Sequence, residues 1–102
     1  MKPPMSLSRL VVSAEGERLI SFSQAAYLTQ TSVTILQRFA DLGLIEPVDS
    51  MLRSSDLTRV VQVMRLRRDL GVNLVGAAII LDMAAEMAQL KAKLKALQQH
   101  DL

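Results

Sequence analysis

The fold is determined by residues 21–47, whose sequence is SFSQAAYLTQTSVTILQRFADLGLIEP. Ser21 is suited to capping a first helix, and Gln24 follows three residues later, as in a capping box. The run TQTS at 29–32 interrupts the apolar pattern with residue types that prefer caps and turns to helix interiors. Gly43 is the expected stop of the second helix. Two short helices joined by so tight a turn predict a helix-turn-helix unit.

The second helix of this unit has two faces. Thr31 or Ser32 is expected to cap its start. The residues expected on its buried side are Val33, Leu36 and Ala40, with Ile35, Phe39 and Leu42 beside them. Residues spaced by three, four and seven positions share one face of a helix, so the outward row is predicted to be Thr34, Gln37, Arg38 and Asp41.

The segments on either side of the unit are short. Residues 7–20 contain two β-prone runs around a turn at 13–16, which predicts a small hairpin, although an irregular arm fits nearly as well. Pro47 ends helical structure. Residues 48–52 then form a short connector, interpreted as a stunted hairpin that turns at Asp49 and Ser50.

Two further helices complete the chain. Ser54 and Asp56 are expected to start a third helix, as a cap and a first-turn acid, and Gly71 is expected to end it. Asn73 is predicted to cap a last helix that runs from Leu74 to about His100.

The last helix carries apolar residues at alternating steps of four and three, which is the pattern of a coiled-coil seam. A stripe this long on a small chain predicts a partner helix, most simply a second copy in a two-fold dimer. The alternative is that its first part packs on the domain and the tail frays. The predicted dimerisation residues are Ile80, Met83, Met87, Leu90, Leu94 and Leu97.

Composition limits the possible functions. The chain has 102 residues, half of them hydrophobic, and no cysteine, which excludes disulfide scaffolds and thiolate metal sites. The one histidine, His100, is near the end of the sequence, and the four glycines are too scattered for a phosphate loop. The apolar run that ends at Asp82 is too short for a bilayer span, and no signal peptide is evident. We therefore expect a cytoplasmic binding module, not an enzyme, with no metal and no cofactor.

Charge is unevenly distributed along the chain. The net charge is +2, but residues 21–47 hold one arginine against two acids, a net charge of −1. Residues 51–71 hold five arginines against two aspartates, a net charge of +3. A DNA reader usually concentrates positive charge on its recognition helix, whereas here that helix carries almost none. Glu15 and Glu17 are interpreted as solvated loop charges.

Two stretches carry a family resemblance. Residues 21–47, especially LGLIEP at 42–47, resemble the helix-turn-helix of MerR-type regulators. Residues 65–83, RLRRDLGVNLVGAAIILDM, resemble two MerR-like branches linked to heat shock. One branch is HspR, a DNA-binding repressor of chaperone genes. The other is CbpM, a modulator that binds and inhibits a DnaJ-like co-chaperone. The resemblance covers about residues 20–90.

The chain departs from the DNA-binding pattern of that family at two places. MerR-type readers typically have Leu-Arg-Tyr-Tyr or Leu-Arg-x-Tyr in the recognition helix, where this chain has LQRF at 36–39. Their wing carries Arg-x-Tyr, and here MLR at 51–53 takes its place. Phosphate contacts supply much of the binding strength in DNA readers, so the loss of two argues against one. Arg38 and Arg53 remain open as shifted substitutes.

The resemblance therefore implies a mainly α, MerR-like winged helix-turn-helix with a degenerate wing, followed by a long C-terminal coiled-coil helix. The expected divisions are an arm or hairpin at 1–20, the helix-turn-helix domain at 21–73 and the dimerisation helix at 74–102. The favoured function is a chaperone modulator that binds the J-domain of a DnaJ/CbpA-type co-chaperone and inhibits its action on Hsp70.

Two alternatives stay open: an HspR-type DNA-binding regulator of heat-shock genes, and a dimeric assembly factor that binds a chaperone complex without changing its ATPase stimulation. J-domains resemble helical hairpins with a basic helix, which acidic side chains would complement. The expected partner-binding residues are Thr34, Gln37, Arg38, Asp41, Glu46 and Asp49.

Overall fold

A computed structural model describes residues 11–12 and 17–100, with side chains described for 17–99. Seven elements follow one another along the chain. They are β1 (Val11–Val12), β2 (Arg18–Ser21), α1 (Phe22–Thr29), α2 (Val33–Asp41), β3 (Met51–Arg53), α3 (Ser54–Leu70) and α4 (Leu74–His100). The fold is mainly helical, as predicted, with a helix-turn-helix and a long C-terminal helix.

The three strands form one antiparallel sheet in the order β1-β2-β3. Val11 pairs with Leu19, so the hairpin predicted for residues 7–20 is confirmed where it is described. Its turn at 13–16 and its first residues, 7–10, lie outside the described residues. On the other edge of β2, Ile20 pairs with Leu52 of β3. This second pairing was not predicted from the sequence, because it joins residues 30 or more positions apart.

Chain contacts divide the molecule into two units, Met1–Gln62 and Val63–Leu102, with the boundary inside α3. In the first unit, α1 packs against α2, β2 and β3. Its buried apolar residues are Leu19, Ile20, Ala25, Ala26, Leu36, Phe39, Ile45, Leu52 and Val60. Full burial contributes about 1.5–3 kcal/mol for each large side chain, so Phe39 and Leu36 are main contributors. The divisions expected after residues 20 and 73 stay a prediction.

The second unit consists of the end of α3 and all of α4. Gly71, in the left-handed region at φ 68°, ends α3, and its N–H donates to the Arg67 carbonyl at 2.9 Å. Asn73 then caps α4, since its Oδ1 accepts the Gly76 N–H at 2.7 Å. Both helix ends were predicted and are confirmed. The buried residues of this unit are Val63, Leu74, Ala77 and Ala78.

Candidate functional site

The first helix of the helix-turn-helix is fixed at both ends by local hydrogen bonds. Ser21 Oγ accepts the Gln24 N–H at 3.2 Å, as the sequence predicts. At the other end Gln30 is left-handed, with φ 57°. Its N–H and that of Thr31 donate back to the Tyr27 and Ala26 carbonyls. This pair of hydrogen bonds forms a Schellman motif, and it sets the direction in which the chain enters α2.

The second helix, like the first, begins at a serine cap and ends in a Schellman motif. Ser32 Oγ accepts the Ile35 N–H at 3.1 Å, which decides between the two predicted capping residues. Gly43, at φ 75°, donates to the Ala40 carbonyl at 3.0 Å. The Leu44 N–H donates to the Phe39 carbonyl at 2.9 Å, which completes a second Schellman ending. The orientation of α2 is therefore fixed by its own sequence.

The outward face of α2 carries the predicted row. Leu36 and Phe39 are completely buried, while Thr34, Gln37, Arg38 and Asp41 are all exposed. The prediction that Val33 and Leu42 are buried is wrong: they are 45% and 41% exposed. The reason is position, since Val33 is the first helical residue and Leu42 lies just past the last. The core takes only the middle turns of so short a helix.

Negative charge collects at the C-terminal end of this face. Asp41, Glu46 and Asp49 are exposed, as expected for the predicted partner-binding residues. Gln37 Nε2 donates to Asp41 Oδ1 at 3.4 Å, a long bond between exposed groups. Arg38 is the only cationic residue between positions 19 and 47. The face of α2 can therefore offer hydrogen bonds and apolar contacts, but little attraction to a polyanion.

The wing is as short as the sequence predicts. Val48 and Met51 exchange both backbone hydrogen bonds, at 2.8 and 2.9 Å. Between them Asp49 and Ser50 are both left-handed, with φ 51° and 61°, which is the pattern of a type I′ turn. The hairpin predicted to turn at these two residues is confirmed.

Arg53 lies at the base of this wing and is held by internal contacts. Its Nε and Nη2 donate to the two carboxylate oxygens of Asp56 at 3.2 and 3.3 Å. Nη2 also donates to the Glu46 carbonyl at 3.2 Å. The hydrogen bond to Asp56, followed by the attraction of its charge, raises the pKa of Arg53 above its ordinary value. With a 27% exposed side chain, Arg53 stabilises the wing, and three of its five side-chain N–H donors are taken by these contacts.

Glu17 is not the solvated loop charge that the sequence suggested. Its Oε1 accepts the Ser55 N–H at 3.0 Å and the Ser54 hydroxyl at 3.3 Å. Hydrogen bonds from the side chain and the backbone of Ser55 lower the pKa of Glu17, with a smaller contribution from Ser54. The carboxylate thus satisfies one backbone N–H group, that of Ser55, at the start of α3. Ser54 is the first residue of that helix, not its cap, and Asp56 Oδ2 accepts the Arg53 N–H at 3.0 Å.

The side chains of the predicted dimerisation residues are exposed along α4. Ile80 is 36% exposed and the others between 55% and 63%. A continuous seam of this kind is unusual on the surface of a soluble monomer, where large apolar patches commonly mark an interaction site. The residues concerned are Ile80, Met83, Met87, Leu90, Leu94 and Leu97.

Comparison with known families gives a match to the model of the MerR HTH family regulatory protein over residues 20–99. This match covers most of the chain, from the end of β2 to nearly the end of α4. The chain belongs to the MerR helix-turn-helix family of regulatory proteins. This is a family of regulatory proteins and not an enzyme family. No solved structure matches this chain.

Two other features of this MerR protein concern metals and membranes. Within residues 11–12 and 17–100, no group of three His, Cys, Asp or Glu is placed to hold a metal ion. In the same residues no single helix is long and apolar enough to cross a membrane. Only α3 and α4 taken together, as a sharply bent pair, meet the criteria of length and composition.

Two exposed side chains on α1 were not singled out from the sequence. Leu28 belongs to the apolar residues of α1 but is 51% exposed, and Tyr27 beside it is 81% exposed. The signal that could have found them is their position: they occupy the last turn of an eight-residue helix, beyond the buried pair Ala25 and Ala26.

Proposed function

We propose that this MerR protein acts through protein contact: it binds the J-domain of a DnaJ/CbpA-type co-chaperone and inhibits its action on Hsp70. One observation carries the proposal. The helix-turn-helix is intact and carefully capped, but its outward face has almost no positive charge. A fold of this kind that reads DNA needs cations for the phosphates, whereas a protein-binding face does not.

The charge of the described side chains supports this reading. From residue 19 to residue 37, which covers α1, the turn and half of α2, no side chain is charged. Arg53, one of the two possible substitutes for a lost phosphate contact, is occupied by Asp56 and the Glu46 carbonyl. Arg38 remains exposed, but a single arginine supplies only a small part of the affinity that several phosphate contacts give.

The choice of a co-chaperone as partner rests on the resemblance of residues 65–83 to the HspR and CbpM branches, and on the missing phosphate contacts, which favour the CbpM-type modulators of the two. The proposed contact residues lie on the outward face of α2 and in the segment that follows it. A partner with a basic helix would meet the acidic end of this surface, where charges of opposite sign speed association. The proposed contacts are Thr34, Gln37, Arg38, Asp41, Glu46 and Asp49.

We further propose that α4 pairs with α4 of a second copy. The seam is symmetric about the midpoint between Ala88 and Gln89, so an antiparallel arrangement fills every layer with two large apolar side chains. The layers would pair Ile80 with Leu97, Met83 with Leu94, and Met87 with Leu90.

Charges on α4 are compatible with this orientation, and the helix dipoles favour it. Glu86 and Lys93 precede seam residues in equivalent heptad positions, and antiparallel helices bring such positions together. A parallel pair would bring Glu86 to Lys91 of the other copy, so the charges alone do not separate the two arrangements. It would also align the two helix dipoles, which is unfavourable. We therefore propose an antiparallel dimer that carries two partner-binding faces, in the cytoplasm.

An Hsp70 ATPase assay tests the function. The J-protein from the same genome stimulates the ATPase, and this protein is added at increasing concentration. We expect stimulation to fall in proportion to the complex formed, without change in the unstimulated rate. Binding without any loss of stimulation would favour the assembly factor instead.

A DNA-binding regulator of heat-shock genes is the second candidate. The family match favours it, and so do Arg65, Arg67 and Arg68, which are exposed near the end of α3. DNA binding through these residues would weaken steeply with salt. Sequence-selective retardation of a promoter fragment by nanomolar protein, lost on changing the three arginines to glutamine, would establish it.

A further inference from the structure

Three exposed apolar side chains flank the turn of the helix-turn-helix. Tyr27 and Leu28 at the end of α1 are 81% and 51% exposed, and Val33 at the start of α2 is 45% exposed. Only residues 30–32 separate the two helices, and the four steps of chain from Thr29 to Val33 span at most about 14 Å. The three side chains, called the turn patch below, therefore belong to one small region of the surface.

Two members of the turn patch, Tyr27 and Leu28, line an open cavity of about 530 Å³. The residues that line it are Ala26, Tyr27, Leu28, Gln30 and Thr31. Its volume lies within the range of ligand sites, but those are largely enclosed, and this cavity is wide open. Such a shape suits a side chain that protrudes from another protein better than a small molecule.

The backbone at this cavity carries a local cost. Gln30 is left-handed, with φ 57°, a conformation that glycine adopts freely and other residues adopt at a cost of about 1 kcal/mol. A glycine would end α1 at lower cost, but it would give the cavity no side chain. The glutamine places an amide, with both donor and acceptor, beside the apolar wall formed by Leu28 and Ala26.

Charge identifies the kind of partner. No side chain from residue 19 to residue 37 is charged, so the turn patch offers no cation to a phosphate backbone. The exposed acid Asp41 ends α2, and Glu46 and Asp49 follow it along the chain; α2 is about 13 Å long for its nine residues. A complementary partner surface carries an apolar side chain, with basic side chains about 13 Å away from it, the length of α2.

We propose that the turn patch is the anchor point of the partner interface, and that it receives an apolar side chain from a basic helical surface of the partner protein. This assignment rests on the proposed co-chaperone function and adds the residues that dominate the affinity. Tyrosine is enriched among the residues that dominate interface energies, whereas charged rim residues contribute mainly to the rate of association. Tyr27 thus supplies the affinity, and the acids supply orientation.

Isothermal titration calorimetry of the purified J-domain with the full chain tests the assignment. The variant Y27A/L28S removes two exposed side chains and should leave the far-ultraviolet circular dichroism spectrum and the melting temperature nearly unchanged. We expect its Kd to rise by roughly tenfold or more. The matched control is V61A, which shortens an exposed apolar residue on α3; its Kd should stay within about twofold of the wild type.

The outcomes separate the two claims. A folded Y27A/L28S variant that binds as tightly as the wild type overturns the assignment of the turn patch and leaves the proposed function standing. Failure of the wild-type chain itself to bind the J-domain overturns the proposed function, and the assignment with it. Loss of sequence-selective DNA binding in Y27A/L28S would also overturn the assignment, because the patch would then serve a nucleic acid.

Discussion

The carboxylate of Asp56 holds Arg53 by three hydrogen bonds: one from the Arg53 backbone N–H at 3.0 Å, one from Nε at 3.2 Å and one from Nη2 at 3.3 Å. Asp56 is the one buried charged residue among the described side chains, 6% exposed. It joins the end of β3 to the first turn of α3, and through Arg53 Nη2 it reaches the Glu46 carbonyl. The stunted wing is therefore fixed by one carboxylate.

Replacing Asp56 with asparagine should destabilise the fold. The change keeps the size of the side chain but removes the charge and one acceptor oxygen from the Arg53 contacts. Hydrogen bonds to charged groups contribute about 1.5–3 kcal/mol, so we expect the free energy of unfolding to fall by about that amount in urea denaturation. D69N is the control, since Asp69 is exposed and 3.8 Å from Arg68. It should change stability by about 0.5 kcal/mol or less; equal losses in both variants would contradict the account.

Stability should depend on pH through Glu17. Its pKa is lower in the folded chain than its ordinary value of 4.5, because Ser55 and Ser54 donate hydrogen bonds to the carboxylate. The ionised form therefore stabilises the fold above pH 4.5, and this contribution is lost as the pH falls through the folded pKa. The melting temperature of E17Q should lie below that of the wild type at pH 7, and the gap should narrow below pH 4.5. A gap that is constant with pH would contradict the capping role.

Reversing the charge of the acidic end should slow partner binding more than it weakens the bound complex. In D41K/E46K the long-range attraction to a basic partner becomes repulsion, and rim charges act mainly on the association rate. We expect the association rate with the J-domain to fall by about tenfold at low salt, measured by stopped-flow fluorescence, and the difference to shrink in 0.5 M salt. D69K is the control. An unchanged rate would exclude these acids from the interface.

The orientation of the α4 dimer can be read by cross-linking, because the chain has no cysteine of its own. I80C and L97C are made separately and mixed. The antiparallel arrangement brings residue 80 of one copy to residue 97 of the other, so oxidation should give mainly the mixed dimer by mass spectrometry. Self-linked I80C and L97C dimers would indicate a parallel pair. If no cross-linked dimer forms and the protein sediments as a monomer, the seam is excluded as an interface.

The sequence was sufficient for the helices because their ends are local features. Ser21, Ser32, Gly43, Gly71 and Asn73 each act within a few residues of their own position. The same locality explains why the outward row of α2 could be predicted, since a helical repeat needs no knowledge of distant elements. The hairpin turn at Asp49 and Ser50 could be predicted for the same reason, because it too depends only on neighbouring residues.

What the sequence did not reveal depends on distant contacts or on the length of elements. The pairing of β2 with β3 and the capping of α3 by Glu17 join residues that are 30 or more positions apart. The exposure of Val33, Leu42 and Leu28 depends on how few turns of a short helix the core can cover. The identity of the partner is not a property of any local pattern, and only the missing positive charge points toward a protein.

The most direct measurement titrates the purified wild-type chain, at 0.15 M salt, with two labelled ligands in parallel: the J-domain of the co-chaperone and a promoter duplex from its operon. Fluorescence anisotropy reports both. We predict saturable binding of the J-domain at micromolar concentration or below, and only weak, non-selective binding of the duplex that disappears as salt is raised. Nanomolar, sequence-selective binding of the duplex with no binding of the J-domain at tens of micromolar would contradict this prediction.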